Sequence, residues 1–599
     1  MILPPRPYLP HKGKFWWRLL AFRLWLQERT GGSEVQVTLL WAGIVGFLGG
    51  LSSIFFRHAI EFIQTYVIGE GTRFFVAAAG LSWQVRLATP IVGGLIAGLI
   101  LHHGLRWLTY KSSTDYMEAI SLGSGVVRVR ATLVKSLSSL FTIASGGAIG
   151  REGPMVQLSA MLASVTGRKI GLPVPRLRLL VACGAAAGIA STYNAPIAGA
   201  LFVAEVVLGT IAMESFGPLV FASVIATVTV RQLWSGSPVY AIPGYQLVSI
   251  WELAPYLLLG IAAGLLGPVF LSILKTGEHL FTKVKGGVPL RMAIGGAVVG
   301  LLSLAAPSVW GNGYDVVSAL LHREPLDNAL FGPGQLWEGV ALLLVLKVVA
   351  TAATAGSGAV GGVFTPTICV GAALGFLFGY PVHHLWPATT ASADAYALVG
   401  MGCFLAATTR APIMAILMLF EMTLDYAIVL PLMMSCVAAY YVAQGTGGES
   451  IYAEALRRKK ALAPDPRLAT LRIGDLMKPN PPCIGERARF RDAAKFFASN
   501  RYNYLYVTDA ENRFRGAISL HDMKPFLNDA EVADLALALD VMQEEFPLLT
   551  PHHTLGEAME SFAKHDGERL PVVFDKDDPI LLGSLSKRDV LLAMADYAK

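Results

Sequence analysis

Gly150-Arg151-Glu152-Gly153-Pro154 sets a charged Arg–Glu pair inside otherwise apolar, glycine-broken sequence. Leu133 to Ile149 precedes it and Met155 to Val165 follows, with few charges in either run. A carboxylate inside a membrane costs roughly 2.5–3.5 kcal/mol on insertion scales, so it faces a pathway or a partner. Glycines on both sides leave backbone N–H groups free, and a helix N-terminus offers partial positive charge to an anion. A glutamate placed there can occupy an anion site itself, and be displaced by a mobile anion or protonated in its favour. The stretch reads as a gate.

Outward from this motif the composition is that of a membrane protein. The 599 residues are 54% hydrophobic and 15% charged, far from the balance of an ordinary soluble chain. Apolar segments of spanning length recur, among them 36–56, 86–103, 176–208, 215–230, 252–275, 336–356 and 411–445. Gly or Pro interrupts many of them, which membranes tolerate where backbone is buried in protein or lines a cavity. Interrupted helices meeting at mid-membrane are a transport signature. The cysteines (Cys183, Cys369, Cys403, Cys436, Cys483) show no paired spacing and read as packing residues, not as disulfides or a metal site. A formal charge of +6 is modest for this length, and nothing points to a nucleic-acid partner. Residues 1–34 mix Lys12, Lys14, Arg18 and Arg23 with Trp16, Trp17 and Trp25, which reads as a cytoplasmic, interfacial leader.

The chain changes character near Gly445. Arg457-Arg458-Lys459-Lys460, with Pro464 and Pro466, makes 456–469 a basic linker. Beyond it, Asp475-Leu476-Met477 and Gly516-Ala517-Ile518-Ser519-Leu520-His521-Asp522 are echoed by Asp540-Val541-Met542 and Gly583-Ser584-Leu585-Ser586-Lys587-Arg588-Asp589. This internal repeat predicts two small βαββα units, at about 470–530 and 535–599. It resembles a tandem CBS pair, a soluble α/β domain. The resemblance implies that Asp522 and Asp589, each with a hydroxyl three residues earlier (Ser519, Ser586), can hold the ribose of an adenine nucleotide. An unliganded, dimer-forming pair is the alternative.

In the membrane half, Gly150-Arg151-Glu152-Gly153-Pro154, Tyr193-Asn194-Ala195-Pro196 and Gly361-Gly362-Val363-Phe364-Thr365-Pro366 together resemble the CLC family of chloride channels and proton/chloride exchangers. The resemblance spans roughly 35–455. It implies an all-α polytopic fold of two inverted repeats of tilted, broken helices, and a homodimer with a pore in each subunit. It makes Glu152 the gating glutamate, flanked by Arg151 and Gly153. Backbone N–H groups at Val363 and Phe364 would face the central anion, and the Tyr452 hydroxyl would close over it. A phosphate loop at Gly356–Gly362 is the rival reading, but no Lys-Ser/Thr follows it and no strand precedes it.

Two departures from the family pattern bear on mechanism. Gly123-Ser124-Gly125 looks like the family's filter loop, yet no Pro-Glu follows it. Counting back without gaps from Val134-Lys135 puts the loop on Tyr110–Asp115, with Lys111 at the usual serine position and Ser112 or Ser113 beside it. Gly123-Ser124-Gly125 is then a turn between helices. The second departure lies in Phe202-Val203-Ala204-Glu205-Val206-Val207. Exchangers commonly carry two successive acids here, the second passing protons from inside; this chain has Glu205 and then Val206. Valine carries no proton, so Glu205, like Glu421, reads as a structural or water-organising acid. The balance favours a passive voltage- or pH-gated chloride channel over a proton-coupled antiporter.

Other classes fit less well. A divalent-cation transporter needs clustered intramembrane oxygen ligands, and the carboxylates here are isolated. A hydrolase needs a nucleophile–base pair, which no motif supplies, so no enzyme activity is expected. A fluoride-carrying relative stays open because the filter loop departs from pattern. The expected setting is a bacterial inner membrane, crossed many times, with both termini cytoplasmic.

Overall fold

The computed structural model describes residues 34–69, 74–106, 115–121, 123–234, 239–240, 242, 244–245, 247–324, 336–448, 450–452, 471–500, 502, 504–520, 523, 536–565, 567–575 and 577–597. The expected N-terminal leader, the basic linker, Lys111, Ser112, Ser113 and Asp522 lie outside them. The chain divides into two compact units, Met1–Leu456 and Arg457–Lys599.

Among the described residues of the first unit, nine helices are long and apolar enough to cross a membrane. Their lengths are uneven for a physical reason. Glu34–Ile68 has 35 residues, about 52 Å at 1.5 Å per residue, against a hydrocarbon core of ~30 Å, so its excess length calls for a tilt. Pro196–Leu201, Tyr314–Leu321 and Pro412–Thr423 are too short to cross. Such half-length helices end inside protein, where their termini need partners.

The apolar stretch 176–208 is not one helix. Val174–Tyr193 stops at Asn194, which takes a left-handed conformation (φ 55°), and a new helix starts at Pro196 and passes into a π-helical turn over Phe202–Leu208. The second half repeats the device. Ala393–Thr409 stops at left-handed Arg410 (φ 62°), and Pro412 opens the next helix. Asn visits this region readily, but arginine does so at a cost. The Arg410 guanidinium offsets that cost by donating to the carbonyls of Ala443 and Gly448. Four cysteines, Cys183, Cys369, Cys403 and Cys436, are buried in this unit and unpaired.

The described residues of the second unit form two three-stranded sheets. In the first, β2 (Cys483–Gly485) pairs parallel to β3 (Tyr504–Thr508), which pairs antiparallel to β4 (Phe514–Ser519). In the second, β5 (Arg569–Val573) pairs antiparallel to β6 (Leu581–Ser586). The register repeats: Tyr504 faces Ser519 as Arg569 faces Ser586, and a bulge falls after the fourth residue of both β3 and β5. The outer position beside β6 is filled by β1 (Lys478–Pro479) from the first repeat, so the two repeats of the tail interlock. Each sheet buries its own core, around Phe490, Leu505 and Ile518 in one and Leu555, Leu570 and Leu585 in the other.

Candidate anion gate

Two glycine-rich turns meet backbone to backbone. Gly150 donates to the Gly362 carbonyl at 2.6 Å, and Gly362 donates back at 3.0 Å. This bridge sets two helix N-termini side by side, Glu152–Lys169 and Phe364–Leu385. Glu152 opens the first helix and is 3% exposed. Its carboxylate reaches across to the second, where Oε1 accepts from Phe364 N at 2.9 Å and Thr365 N at 3.2 Å. Oε2 accepts from the Thr365 hydroxyl at 3.1 Å, and that hydroxyl also lies 2.9 Å from the Tyr193 hydroxyl. A Cβ at Gly150 or at Gly362 would collide with the carboxylate, so both positions must be glycine for it to sit there.

The seat is therefore an anion site filled by the protein's own carboxylate. Orphan N–H groups of a helix start supply the donors, and the helix dipole favours negative charge. Arg151 does not neutralise it. The Arg151 guanidinium lies 6.0 Å from the Tyr314 ring, and among the described residues no cation forms an ion pair with Glu152.

The amides that engage Glu152 are those of Phe364 and Thr365; the expectation for Val363 and Phe364 concerned a central anion, a different occupant. Val363 is the residue before the first helical turn, and the N–H groups one and two residues further on project from the helix start. Gly153 packs against the backbone of Gly361 and Gly362 and serves the close approach of the turns. Tyr452 lies further along. Its ring sits edge-on to Phe202 at 5.4 Å, Phe202 edge-on to Phe364 at 6.4 Å, and Tyr193 lies 5.1 Å from Phe364. These four rings line one side of the seat's surroundings. Ser124 is exposed in the turn between Tyr116–Ser121 and Val129–Ala144.

Thr365 and Tyr193 are site residues that reading the sequence did not single out, although both stand within quoted motifs. Their signal was a hydroxyl beside the motif proline (Thr365, before Pro366) or asparagine (Tyr193, before Asn194). Glu205 is held elsewhere: it accepts from Met414 N at 2.8 Å and Ile413 N at 3.4 Å, and Val206 beside it is half-buried.

A sequence model described as "Voltage gated chloride channel" matches residues 93–444, and one described as "CBS domain" matches 473–529 and 537–596. The chain belongs to the CLC family. A "Putative chloride channel protein ClcB-like" from Ralstonia nicotianae is 50% identical over 423 residues, covering 70% of this chain and 96% of its own length. A "Voltage-gated ClC-type chloride channel ClcB" from Citrobacter koseri is 40% identical over 69% of this chain and 97% of its own. A solved structure titled "X-ray crystal structure of a slow cyanobacterial Cl-/H+ antiporter" superposes with a TM-score of 0.62 at 26% identity, covering 71% of this chain and 98% of that one. This CLC chain is thus a multi-pass membrane protein for chloride transport, with a CBS tail.

Proposed function

We propose that this CLC chain exchanges chloride for protons, with Glu152 as the group that both ions contest. The observation that carries the reading is the Glu152 carboxylate resting on the amides of Phe364 and Thr365. A carboxylate and a chloride ion compete for the same donors, so the seat holds one or the other. Protonation removes the charge that keeps Glu152 there and leaves the donors to chloride. Proton and chloride uptake are then linked, each favouring the other. The central chloride, apart from the one that takes the seat of Glu152, is held by amides near Val363 and Phe364 and by the Tyr452 hydroxyl, because a dehydrated anion needs donors while a full positive charge would trap it. Ser112 or Ser113 supplies the filter hydroxyl. The similarity to a Cl-/H+ antiporter supports exchange.

Passive conduction is the second reading, favoured by Val206 and by the engagement of Glu205 with a helix end. The reversal potential in bilayers under combined chloride and proton gradients separates the two. Exchange displaces it from the chloride Nernst value; a reversal potential at that value overturns exchange. Efflux from liposomes read with chloride and fluoride electrodes tests the choice of anion.

The working unit is a homodimer in a bacterial plasma membrane, one route per chain, with both termini cytoplasmic. For the tail, an adenine nucleotide is the ligand class that Ser586 and Asp589 suit. The Ser586 hydroxyl donates to Asp589 Oδ2 at 2.5 Å, and Lys478 pairs with Oδ1 at 3.1 Å, so the ribose must displace these partners. A rise in melting temperature of the full chain with ATP, absent in Asp589→Ala, tests it.

A further inference from the structure

The helix Phe364–Leu385 opens with fewer free donors than a helix start usually offers. Pro366 has no N–H, and that of Thr367 is already given to the Val363 carbonyl at 3.0 Å. The amides of Phe364 and Thr365 remain, and both go to one oxygen of Glu152, Oε1. The other oxygen, Oε2, draws on a side chain instead, the Thr365 hydroxyl at 3.1 Å. Among the described residues the carboxylate's one further donor is Glu152's own N–H.

A hydroxyl has a single proton to give. With that of Thr365 on Glu152, the 2.9 Å contact between the Thr365 and Tyr193 hydroxyls has a fixed sense: Tyr193 donates and Thr365 accepts. Both side chains are buried, and Tyr193 ends the helix Val174–Tyr193 with its ring 5.1 Å from Phe364. A two-step donor chain is thus aimed at one carboxylate oxygen. Hydrogen bonds to an ionised acceptor are roughly twice as strong as neutral ones, and a second donor behind the first strengthens it.

We propose that the Thr365 and Tyr193 hydroxyls form a latch that makes the seat prefer the Glu152 carboxylate over chloride, and so set the pH and the chloride concentration at which the gate yields. The two occupants differ in shape. A carboxylate offers one oxygen to the amides and a second to the hydroxyl. Chloride is a single sphere that takes the amides where Oε1 sits and leaves the place of Oε2 empty. The latch therefore holds the gate more than the ion, and it lets go when a proton removes the charge. Thr365 touches the gate; Tyr193 is a positioning residue that acts through Thr365. This role for the two hydroxyls rests on Glu152 being the group that chloride displaces. The other titratable and charged groups around Glu152 are common to every variant below: Tyr116 and Tyr452 face it from two further elements, Arg151 precedes it, Asp115 lies near both tyrosines, and Arg57 and Asp315 lie near Tyr314.

The test is chloride efflux from liposomes holding the full chain, measured across pH and chloride concentration. Thr365→Val trades the hydroxyl for a methyl group of similar shape. At neutral pH it is expected to lower half-saturating chloride about tenfold, equivalent to about 1.4 kcal/mol, and to move the midpoint of the pH profile up by about one unit. The sign follows from the latch, because a carboxylate held less firmly is displaced and protonated more readily. Thr365→Ser keeps the hydroxyl and should match the unaltered chain. Tyr193→Phe keeps the ring beside Phe364 and should move both readings the same way by a smaller amount. Added to Glu152→Gln, Thr365→Val should leave half-saturation as it is in Glu152→Gln alone. A midpoint and half-saturation unmoved in Thr365→Val and Tyr193→Phe, even with a lower rate, overturn the latch and leave the gate standing. Half-saturation raised by Thr365→Val does the same, since the hydroxyl then serves the ion. A Glu152→Gln chain that keeps its pH dependence removes the gate, and the latch with it.

Discussion

Glu205 and Glu421 cap each other's helices. Glu205 stands nine residues after Pro196 and accepts from the amides of Ile413 and Met414, the two residues that follow Pro412. Glu421 stands nine residues after Pro412 and accepts from Ile197 N at 3.0 Å and Ala198 N at 2.8 Å, the two that follow Pro196. The relation is reciprocal, as a pseudo-two-fold between the halves requires. Each acid satisfies orphan donors of a half-length helix and complements its dipole. Removing either carboxylate leaves two such N–H groups without acceptors, at about 1–3 kcal/mol for each one that stays buried. Glu421→Ala is expected to lower the melting temperature in detergent more than Glu205→Ala, because Glu421 is buried and Glu205 only half-buried. The Gln variants, which keep an acceptor, should lose less; equal losses in all four would remove the capping account.

The same geometry bears on protons. A carboxylate committed to Ile413 and Met414 is poorly placed to shuttle them, so Glu205→Gln should leave the coupling ratio unchanged in liposome proton uptake. Val206→Glu should raise coupling if the missing inner acid limits it.

Glu152→Gln removes the titrating charge from the seat. Chloride flux in this variant is expected to lose its pH dependence and any proton coupling, with chloride passing unopposed. Pumping of protons by well-folded Glu152→Gln protein would show that another group carries them.

Gly362→Ala asks whether the seat depends on space. A methyl group there meets the Glu152 carboxylate, which must leave the amides of Phe364 and Thr365. Flux at high pH, where deprotonated Glu152 blocks best, is expected to rise toward that of Glu152→Gln. A melting temperature close to that of the unaltered chain would tie the effect to the gate; a closed, well-folded variant would refute the steric account.

In the tail, Asp589 has its pKa lowered. Partial burial acts to raise it, but the Ser586 hydroxyl and the Lys478 ammonium together outweigh that. A folded-state pKa below the unfolded value gives stability that is present above the unfolded value and lost as pH falls through the folded one. The pair is partly exposed, so the contribution is small. Asp589→Asn should therefore lower the tail's melting temperature at neutral pH, and the difference should close below the ordinary Asp range.

Much of this was legible in the sequence. Apolar runs broken by Gly and Pro marked a polytopic helical protein, and the echo of Gly516–Asp522 in Gly583–Asp589 marked the doubled tail, because periodicity and repeats are local signals. Glu152 stood out since a lone acid between glycines in apolar sequence has few explanations. What Glu152 touches was not legible: Phe364 and Thr365 lie more than two hundred residues away, and only the Gly150–Gly362 bridge brings them together. That Phe364 and Thr365 are the donors to Glu152 depends on where a helix begins, which sequence locates only loosely. The reciprocal caps needed two distant helices in register. Sequence alone determined which segments enter the membrane and where a charge is out of place there. Tertiary structure decided which donors that charge meets, because hydrogen-bond partners are set by the meeting of helix ends and not by spacing along the chain.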